Sequence, residues 1–523
     1  MEDDGQNGRK SAALALLGGI CVVLGYPPFS FFPPLLILGP TLLFVALRGA
    51  GWRRAMLCGA LFGGSIQAGG FPWLAGTVAR FYSIVPGGEN GPTASEAFWI
   101  GILAFSVWLL VSTFAWVLYA VLIARGPARA PLSLAWAALL WMAIEAFYPR
   151  IFPWALGAGF SQSEWWAQGA WWVGVSGLSG LIIFSAGLLA EGWSHWRRGR
   201  SPWRWWGVAM GGIALGTLLG AVRFAGEIEG PSDKFRVGYV QAAISLERRH
   251  SYDQAVQFEV LDEIADRTRE LAQSEHPALV IWSEGMLPGV WLPEKVAFWM
   301  RTRVRVPMVV GGLGAEGDSV TNRAFISLDT NADSFHSYSK RALVLFGERI
   351  PGRGLLRRIG IPIPAAVIDA GTEVLVVDCG GVPIAPSICF EGILPGTAFD
   401  LRDRGARLHL NLTEDLWYGD SAAPYQHLAL TRMRAVEAGL PLVRVTNGGI
   451  TAACDARGRW IDRIPLGGPV AGVFELDVPR ELQRAPLTQE VFRYLPLLLI
   501  PMVGFQLRQW REKRSSTPST ATE

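Results

Sequence analysis

Charged side chains are scarce in this sequence, in which only 17% of the 523 residues are Asp, Glu, Lys or Arg. Half of the residues are hydrophobic, and a skew of this kind indicates contact with lipid. The net charge is only +3, and the basic residues lie in short clusters beside apolar runs rather than in one stripe. A nucleic-acid partner is therefore not expected.

Cysteine and histidine are also few, with five and six residues respectively. No two cysteines have the spacing of a zinc or redox motif, and no His-Glu-x-x-His pattern occurs. These absences argue against a disulfide framework and against a metal site. The cysteines are Cys21, Cys58, Cys379, Cys389 and Cys454.

Apolar runs of membrane length recur along the chain, which also contains 23 tryptophans. Tryptophan is enriched where membrane proteins meet the bilayer interface. Seven runs precede a long, less apolar insert, and an eighth follows it. They cover residues 11–26, 34–48, 55–77, 98–124, 131–149, 169–191, 205–224 and 493–508. The sequence therefore predicts a polytopic α-helical membrane domain with about eight spans.

The distribution of basic residues predicts the orientation of these spans. Arginine and lysine are concentrated in alternate short loops, whereas the opposite short loops hold only Arg80 and Arg150. Both termini are therefore expected in the cytoplasm and the insert in the periplasm of a bacterium. We expect a seven-helix membrane domain at 1–225, a periplasmic domain at 226–485, and a transmembrane helix with a basic cytoplasmic tail at 486–523. The concentrated basic residues are Arg9, Lys10, Arg48, Arg53, Arg54, Arg125, Arg129, Arg197, Arg198, Arg200, Arg204, Arg508, Arg511, Lys513 and Arg514.

The insert alternates β-rich strings with helical stretches, which predicts an α/β domain. The predicted strands are 235–240, 278–282, 307–310, 324–328, 374–377, 383–388 and 408–412, and the predicted helices are 252–274, 394–405 and 422–438. Residues 312–317 match the Gly-x-Gly-x-x-Gly pattern of nucleotide-binding loops. Because a strand rather than a helix is predicted to follow, we interpret this segment as a hairpin turn.

Three reactive side chains each follow an apolar strand of the insert, namely Glu284, Lys340 and Cys389. Strand ends are positions at which rigid scaffolds present catalytic groups. A thiolate is the attacking form of cysteine, so a neighbouring ammonium that lowers the thiol pKa and a carboxylate that accepts the proton would activate Cys389. An ammonium and a backbone N–H near Cys389 are also suited to stabilise an oxyanion.

The segments around these residues have a specific pattern that continues downstream. They are Trp282-Ser283-Glu284, Tyr338-Ser339-Lys340-Arg341, Phe346-Gly347-Glu348, Ser387-Ile388-Cys389-Phe390-Glu391, 411–421, Gln426-His427, 432–435 and 444–449. This set resembles the Glu-Lys-Cys triad of the nitrilase superfamily. With membrane spans on both sides of the insert, the whole chain resembles the apolipoprotein N-acyltransferases.

The resemblance implies an αββα sandwich in which Cys389 is the nucleophile, Glu284 the general base and Lys340 the oxyanion stabiliser, with Glu348 and Glu391 as supporting residues. It implies transfer of an acyl chain from a phospholipid, through a thioester, to the α-amino group of a lipoprotein's diacylglyceryl-cysteine. No cofactor is implied, and we expect a monomer. Around the triad the family usually has other residues where this chain has Ser283, Ala342, Leu345 and His250, so loop shape and substrate preference are expected to differ.

Two apolar loops, at 285–293 and 343–368, flank the triad and are suited to contact lipid. Trp291, Trp417, Arg357 and Arg358 are the predicted substrate-binding residues. Two alternatives remain at this stage. A membrane-tethered amidase would use the same triad on a small amide, and a catalytically idle scaffold would only bind lipoproteins.

Overall fold

The computed structural model describes residues 2–84, 92–125, 132–150, 152–228, 230–249, 251, 253–329, 335–345, 347–349, 352, 355, 358 and 368–498. Within these ranges the first 225 residues are almost entirely helical. The helices are α1 (Glu2–Gly25), α2 (Leu35–Ala46), α3 (Trp52–Gly70), α4 (Trp73–Ile84), α5 (Ala94–Ala124), α6 (Leu132–Phe147), α7 (Glu164–Ala167), α8 (Gly169–Arg197) and α9 (Trp203–Ala225).

Each of the seven N-terminal apolar runs falls on helix, but the run at 55–77 is divided between α3 and α4. Pro72 explains this break, because it lacks an N–H and disfavours a helical conformation at Phe71. Among the described residues, four helices are long and apolar enough to cross a membrane, and they lie within α1, α5, α8 and α9. Helices α2 and α6 are apolar but shorter. Most of the run at 493–508 lies outside the described residues.

The long helices carry apolar side chains on the outside as well as the inside. Leu110 is 71% and Val222 65% exposed on the protein surface, as expected for side chains that face lipid. Toward the interior, α3 and α5 approach closely because Gly63 lies directly beneath Trp116. Phe62 packs edge-on against the same indole at a centroid distance of 4.7 Å.

From Ser232 onward the chain forms two β-sheets. The strands are β1 (Ser232–Gln241), β2 (Leu279–Trp282), β3 (Leu287–Trp291), β4 (Met308–Glu316), β5 (Ser319–Ser327), β6 (Phe335–Ser339), β7 (Val377–Cys379), β8 (Val382–Ile388), β9 (Leu408–Thr413), β10 (Leu442–Thr446), β11 (Thr451–Cys454), β12 (Trp460–Ile464) and β13 (Val470–Pro479). One sheet has the order β13-β1-β2-β4-β5-β6, with β3 beside β4, and the other has the order β12-β11-β10-β9-β8-β7. In each sheet three central strands are parallel, β1-β2-β4 and β8-β9-β10.

The two sheets pack face to face, and helices cover their outer faces. Apolar residues of both sheets, such as Val237, Ile281, Ile384 and Leu410, form one shared core. The first sheet is covered by α11 (Gln254–Glu275) and α12 (Pro293–Trp299), and the second by α13 (Thr397–Asp403) and α14 (Ala423–Ala438). A short helix, α10 (Leu246–Arg249), precedes α11. The predicted αββα sandwich is thus present in the described residues. A further helix, α15, follows at Leu487–Tyr494.

Two local predictions have different outcomes. The predicted hairpin at 312–317 is confirmed, because β4 and β5 pair antiparallel with Glu316 opposite Ser319. The predicted strand at 374–377 is wrong for most of its length, because strand β7 begins only at Val377. Val374 and Val376 instead pack against the cluster of Ala398 and Leu401, so their alternation reflects helix contact rather than a ladder.

The helical part and the sandwich are joined through buried polar side chains of α14. Gln426 accepts from the Trp73 indole at 3.0 Å and donates to the carbonyls of Pro27 and Gly70 at 3.1 and 2.8 Å. Glu437 accepts from the backbone N–H of Val175 at 2.8 Å. One helix of the sandwich is therefore held by three helix ends of the N-terminal part.

Candidate active site

Glu284, Lys340 and Cys389 come together at one edge of the sandwich. They follow β2, β6 and β8, whose carboxyl ends lie at the same edge because β6 runs in the direction of β4 and β2. The Cys389 backbone has φ = 51°, a left-handed conformation that is rare outside glycine. This sharp turn ends β8 and starts a short helical segment, which presents the thiol at the edge.

One ammonium lies between two carboxylates in this site. Lys340 Nζ is 3.1 Å from Glu284 Oε1 and 2.8 Å from Glu348 Oε1. Asn322 Nδ2 donates to the same two oxygens, at 2.8 and 3.2 Å. Lys340 is only 1% exposed, so the cluster is shielded from solvent and its geometry is fixed from several sides.

The charges in this cluster follow from these contacts. Burial works to lower the pKa of Lys340, but Glu284 and Glu348 raise it well above its ordinary value. Burial works to raise the pKa of Glu284, but Lys340, Asn322 and the Cys389 side chain lower it. The site therefore holds an ammonium and an ionised Glu284 that accepts a hydrogen bond from the thiol.

The sequence predicts that Lys340 lowers the pKa of the Cys389 thiol, but the net shift of this pKa is upward. Burial, followed by the negative charge of Glu284, raises the pKa of Cys389 well above its ordinary value. Lys340 works in the opposite direction and offsets only part of this rise. Burial and the carboxylates around the ammonium thus outweigh Lys340, so the thiol stays protonated at rest.

Glu391 ties the Lys340 loop to the turn at Cys389. Its carboxylate accepts from the Tyr338 hydroxyl at 2.9 Å and from the backbone N–H groups of Arg341 and Ala342 at 2.6 and 3.0 Å. Its other oxygen accepts from Ile388 N–H at 2.8 Å. Glu391 thus binds both flanks of the site without contacting the reacting atoms, as a positioning residue does.

A second buried network lies behind Cys389, in the block at 411–447. Arg444 donates to Asp415 Oδ2 at 2.6 Å and to Asn411 Oδ1 at 3.1 Å, and His427 Nδ1 is 3.0 Å from Asp415 Oδ1. All four side chains are almost fully buried. Burial works to raise the pKa of Asp415, but Arg444 and His427 lower it, so the Asp415–Arg444 pair is ionised.

Glu414 connects this block to the strand that carries Glu284. It pairs with Arg249 and accepts from Asn447 Nδ2 at 2.9 Å, and Arg249 also donates to the backbone carbonyl of Glu284 at 3.2 Å. Burial raises the pKa of Glu414 to about 7, although Arg249 works to lower it.

The predicted substrate-binding residues lie in different places. Trp417 is half-buried and its ring is 5.5 Å from that of Phe81 on α4, so it packs against the helical part. Trp291 is half-buried in a groove with Phe298 and Trp299, and its indole donates to the Pro288 carbonyl at 2.7 Å. Arg358 is exposed. Arg357 and His250 lie outside the described residues.

Sequence reasoning missed Asn322, which binds both carboxylates of the site. The available signal was its position inside a strand, β5, where asparagine is disfavoured. Its partners are distant in sequence, since Glu284 is 38 residues away. Among the described residues, no group of three or more His, Cys, Asp or Glu side chains has an arrangement that could hold a metal ion.

Comparison with known proteins agrees with this architecture. Residues 18–188 match the family model of the apolipoprotein N-acyltransferase N-terminal domain, and residues 235–468 match that of carbon-nitrogen hydrolases. An apolipoprotein N-acyltransferase of Methylococcus capsulatus is 30% identical over 87% of this chain and 88% of its own length. The chain belongs to the apolipoprotein N-acyltransferase family. Its members are acyltransferases, so this chain is an enzyme of that class.

Two other members of the family match over nearly the full chain. The apolipoprotein N-acyltransferase of Azotobacter vinelandii is 28% identical over 98% of this chain and 97% of its own length. That of Caulobacter vibrioides is 28% identical over 91% of this chain and 90% of its own length. Among solved structures, an amidase from Nesterenkonia sp. is 19% identical, with a TM-score of 0.35, over 51% of this chain and 99% of its own.

Proposed function

We propose that this enzyme takes a fatty acyl chain from a phospholipid, holds it as a thioester on Cys389, and passes it to the N-terminal α-amino group of a diacylglyceryl-modified lipoprotein. Membership of the apolipoprotein N-acyltransferase family supports the overall reaction. The environment of Cys389 supports the lipid donor and the thioester, as follows.

In the first half-reaction, Glu284 accepts the thiol proton and the sulfur attacks the ester carbonyl of the phospholipid. The carbonyl oxygen becomes an oxyanion, which Lys340 and a backbone N–H after Cys389 stabilise. When the oxyanion collapses, the ester C–O bond breaks, and Glu284 returns the proton to the departing lysophospholipid oxygen. The products are lysophospholipid and the acyl-thioester.

In the second half-reaction, the lipoprotein amine attacks the thioester carbonyl. The C–S bond breaks, an amide forms, and Glu284 takes the proton that the amine loses. The Cys389 sulfur then recovers its proton, which completes a ping-pong cycle. Because Glu348 remains as a second carboxylate beside Lys340, the ammonium is kept charged throughout.

One observation favours a lipid donor above all others, namely the contact between the nucleophile turn and the membrane helices. Phe390, the residue after Cys389, packs against the same apolar cluster as side chains of the N-terminal helices. Tyr418 packs against the same cluster. The Tyr418 ring is 5.3 Å from that of Trp73 on α4. An acyl chain leaving the bilayer would thus meet a continuous apolar surface up to the thiol.

The membrane arrangement that we propose has eight spans, with a domain of seven helices at 1–225 and an eighth helix at 486–523. The sandwich at 226–485 would face the periplasm from the inner membrane. The concentration of basic residues in alternate short loops supports this orientation. We further propose that Trp291, Trp417, Arg357 and Arg358 contact the substrate lipid, and that the enzyme acts as a monomer.

A two-step transfer experiment tests the proposal. Purified enzyme in detergent is incubated with phospholipid that carries a radiolabelled acyl chain, freed of donor, and then mixed with a diacylglyceryl-cysteine peptide. We expect label on wild-type enzyme, its loss on addition of peptide, and its appearance as an N-acyl peptide. The Cys389→Ala variant should take up no label, whereas Cys379→Ala, which removes a buried thiol outside the site, should behave as wild type.

The same experiment distinguishes the alternatives. A membrane-tethered amidase would release the label to water as fatty acid at the same rate with and without peptide. An idle scaffold would bind peptide but remain unlabelled, and its Cys389→Ala variant would still support lipoprotein maturation in cells. Either result would contradict the proposed transfer.

A further inference from the structure

The backbone carbonyl of Cys389 is held by a side chain that the reaction scheme does not use. Asn411, at the middle of β9, donates from Nδ2 to this carbonyl oxygen at 3.3 Å. The same amide nitrogen donates to Ser387 Oγ at 3.0 Å. Asn411 is fully buried, and it also lies directly beneath Gly392, where a Cβ atom would come within 2.7 Å of Nδ2.

The orientation of the Asn411 amide is fixed by its other end. Oδ1 accepts from Thr413 Oγ1 at 2.8 Å and from the Arg444 guanidinium at 3.1 Å. A guanidinium can only donate, so the Asn411 atom that faces Arg444 must be the oxygen, and the NH₂ group must face Cys389. Arg444 is itself held by Asp415 at 2.6 Å. The buried ion pair therefore determines which end of the amide meets the nucleophile turn.

Holding this carbonyl also orients the next backbone N–H. The Cys389 carbonyl and the Phe390 N–H belong to one planar trans peptide unit, in which C=O and N–H point in opposite directions. With its carbonyl bound to Asn411, the unit directs the Phe390 N–H away from the sandwich interior. The left-handed φ of 51° at Cys389 is a strained conformation for a residue other than glycine, so the turn needs such an anchor to persist.

We propose that Asn411 is a positioning residue for the oxyanion site: it binds one end of the Cys389–Phe390 peptide so that the other end donates to the developing oxyanion. Lys340 is the second donor, on the opposite wall of the site. The hydrogen bond from Asn411 also polarises the peptide and strengthens its N–H as a donor. This inference rests on the proposed thioester chemistry and deepens it.

The test compares two reactions of the same thiol. Acylation by p-nitrophenyl octanoate passes through an oxyanion, whereas alkylation by iodoacetamide is a direct displacement at carbon and forms none. In Asn411→Ala, acylation should slow by about 100-fold, the scale on which misplacing a catalytic group by about 1 Å reduces a rate. Alkylation should change by less than about threefold, because the thiol and Glu284 stay in place. Both rates are followed by intact mass of the full-length protein.

A second variant and a control separate loss of the oxyanion site from a general loss of stability. Asn411→Ser keeps a polar side chain but is too short to reach the Cys389 carbonyl, and it should show the same selective loss. Thr268→Val removes an equally buried hydrogen bond, to the Trp282 indole at 2.8 Å, and should leave both rates unchanged. Parallel losses of acylation and alkylation in both Asn411 variants would overturn the inference, as would unchanged acylation in either.

The activated ester separates this inference from the proposed function. If wild-type enzyme takes no acyl chain from phospholipid, the proposed donor is wrong. In that case, the ratio of the rate of acylation by p-nitrophenyl octanoate to the rate of alkylation in the Asn411 variants still reports whether Asn411 contributes to oxyanion stabilisation.

Discussion

In the mechanism that we propose, Cys389 depends on Glu284 for its reactivity more than on Lys340. Burial and Glu284 raise the thiol pKa well above its ordinary value, whereas the pKa of Glu284 is lowered, mainly by Lys340 acting against burial. At neutral pH the proton therefore resides on sulfur and the negative charge on Glu284. Lys340 keeps that carboxylate ionised and remains available for an oxyanion.

The pH dependence of thiol alkylation tests this assignment in the Glu284→Gln variant. Without a base, alkylation requires thiolate that forms by itself. Below the thiol pKa the thiolate fraction rises about tenfold per pH unit, so in a series from pH 7 to 9 the rate should rise with that slope up to the thiol pKa of the variant. Wild-type enzyme should be faster and nearly independent of pH, because Glu284 is ionised throughout this range. A Glu284→Gln variant as fast and as flat as wild type would contradict the role of Glu284.

The limits of prediction are visible at the residue scale. Glu284, Lys340 and Cys389 were found because each follows an apolar strand, which is a local feature of the sequence. Asn322 and Asn411 were not assigned roles, because their partners depend on strand register and on the distance between two sheets. Lys340 does work to lower the thiol pKa, as expected, but burial and Glu284 outweigh it, and this balance depends on contacts that form only in the fold.

Strand direction and one helix determine where Glu284, Lys340 and Cys389 lie. Carboxyl ends of β2, β6 and β8 share an edge, and α14 attaches that edge to the membrane helices. The strands β1, β2, β4, β5, β8 and β9 coincide with predicted strands, because their apolar character is strong, whereas β3 and β10 to β13 were not predicted. The strand at 374–377 was wrong because Val374 and Val376 alternate against a helix, and periodicity alone does not distinguish a helix partner from a ladder.

A substitution of Gln426 tests the attachment of α14 to the N-terminal helices. Gln426→Ala removes hydrogen bonds to Trp73, Pro27 and Gly70, and each buried group left without a partner costs about 1–3 kcal/mol. We expect a lower thermal midpoint in detergent and a larger loss of acylation by phospholipid than by p-nitrophenyl octanoate, because only the lipid must pass the junction. Equal losses with both donors would show that the junction has no role in lipid delivery. Thr268→Val is the matched control for loss of a buried hydrogen bond.

At the scale of the whole molecule, the chain combines a lipid-exposed helical half with a sandwich whose active edge is closed by those helices. The class of both halves followed from hydropathy and periodicity, because these properties are summed over many residues. The contact between the two halves could not be predicted in this way, because Trp73 and Gln426, which form a hydrogen bond across it, are 353 residues apart in the sequence. In the reaction that we propose, this contact lets a nitrilase-like site receive a water-insoluble ester.

The orientation across the membrane can be measured with single introduced cysteines. Four of the five native cysteines are buried, so labelling of the wild-type background should be low. A membrane-impermeant maleimide applied to cells with a permeabilised outer membrane should label Asp462→Cys, on β12 of the sandwich, but not Ser201→Cys, in a basic loop. Labelling of Ser201→Cys with protection of Asp462→Cys would reverse the proposed topology.

The thioester at Cys389 is the central claim, and intact mass spectrometry after incubation with a phospholipid of defined acyl chains tests it most directly. We predict that wild-type enzyme gains the mass of one acyl group, that hydroxylamine removes it, and that Cys389→Ala gains nothing. A wild-type mass that stays unchanged, or an equal gain in Cys389→Ala, would contradict the account.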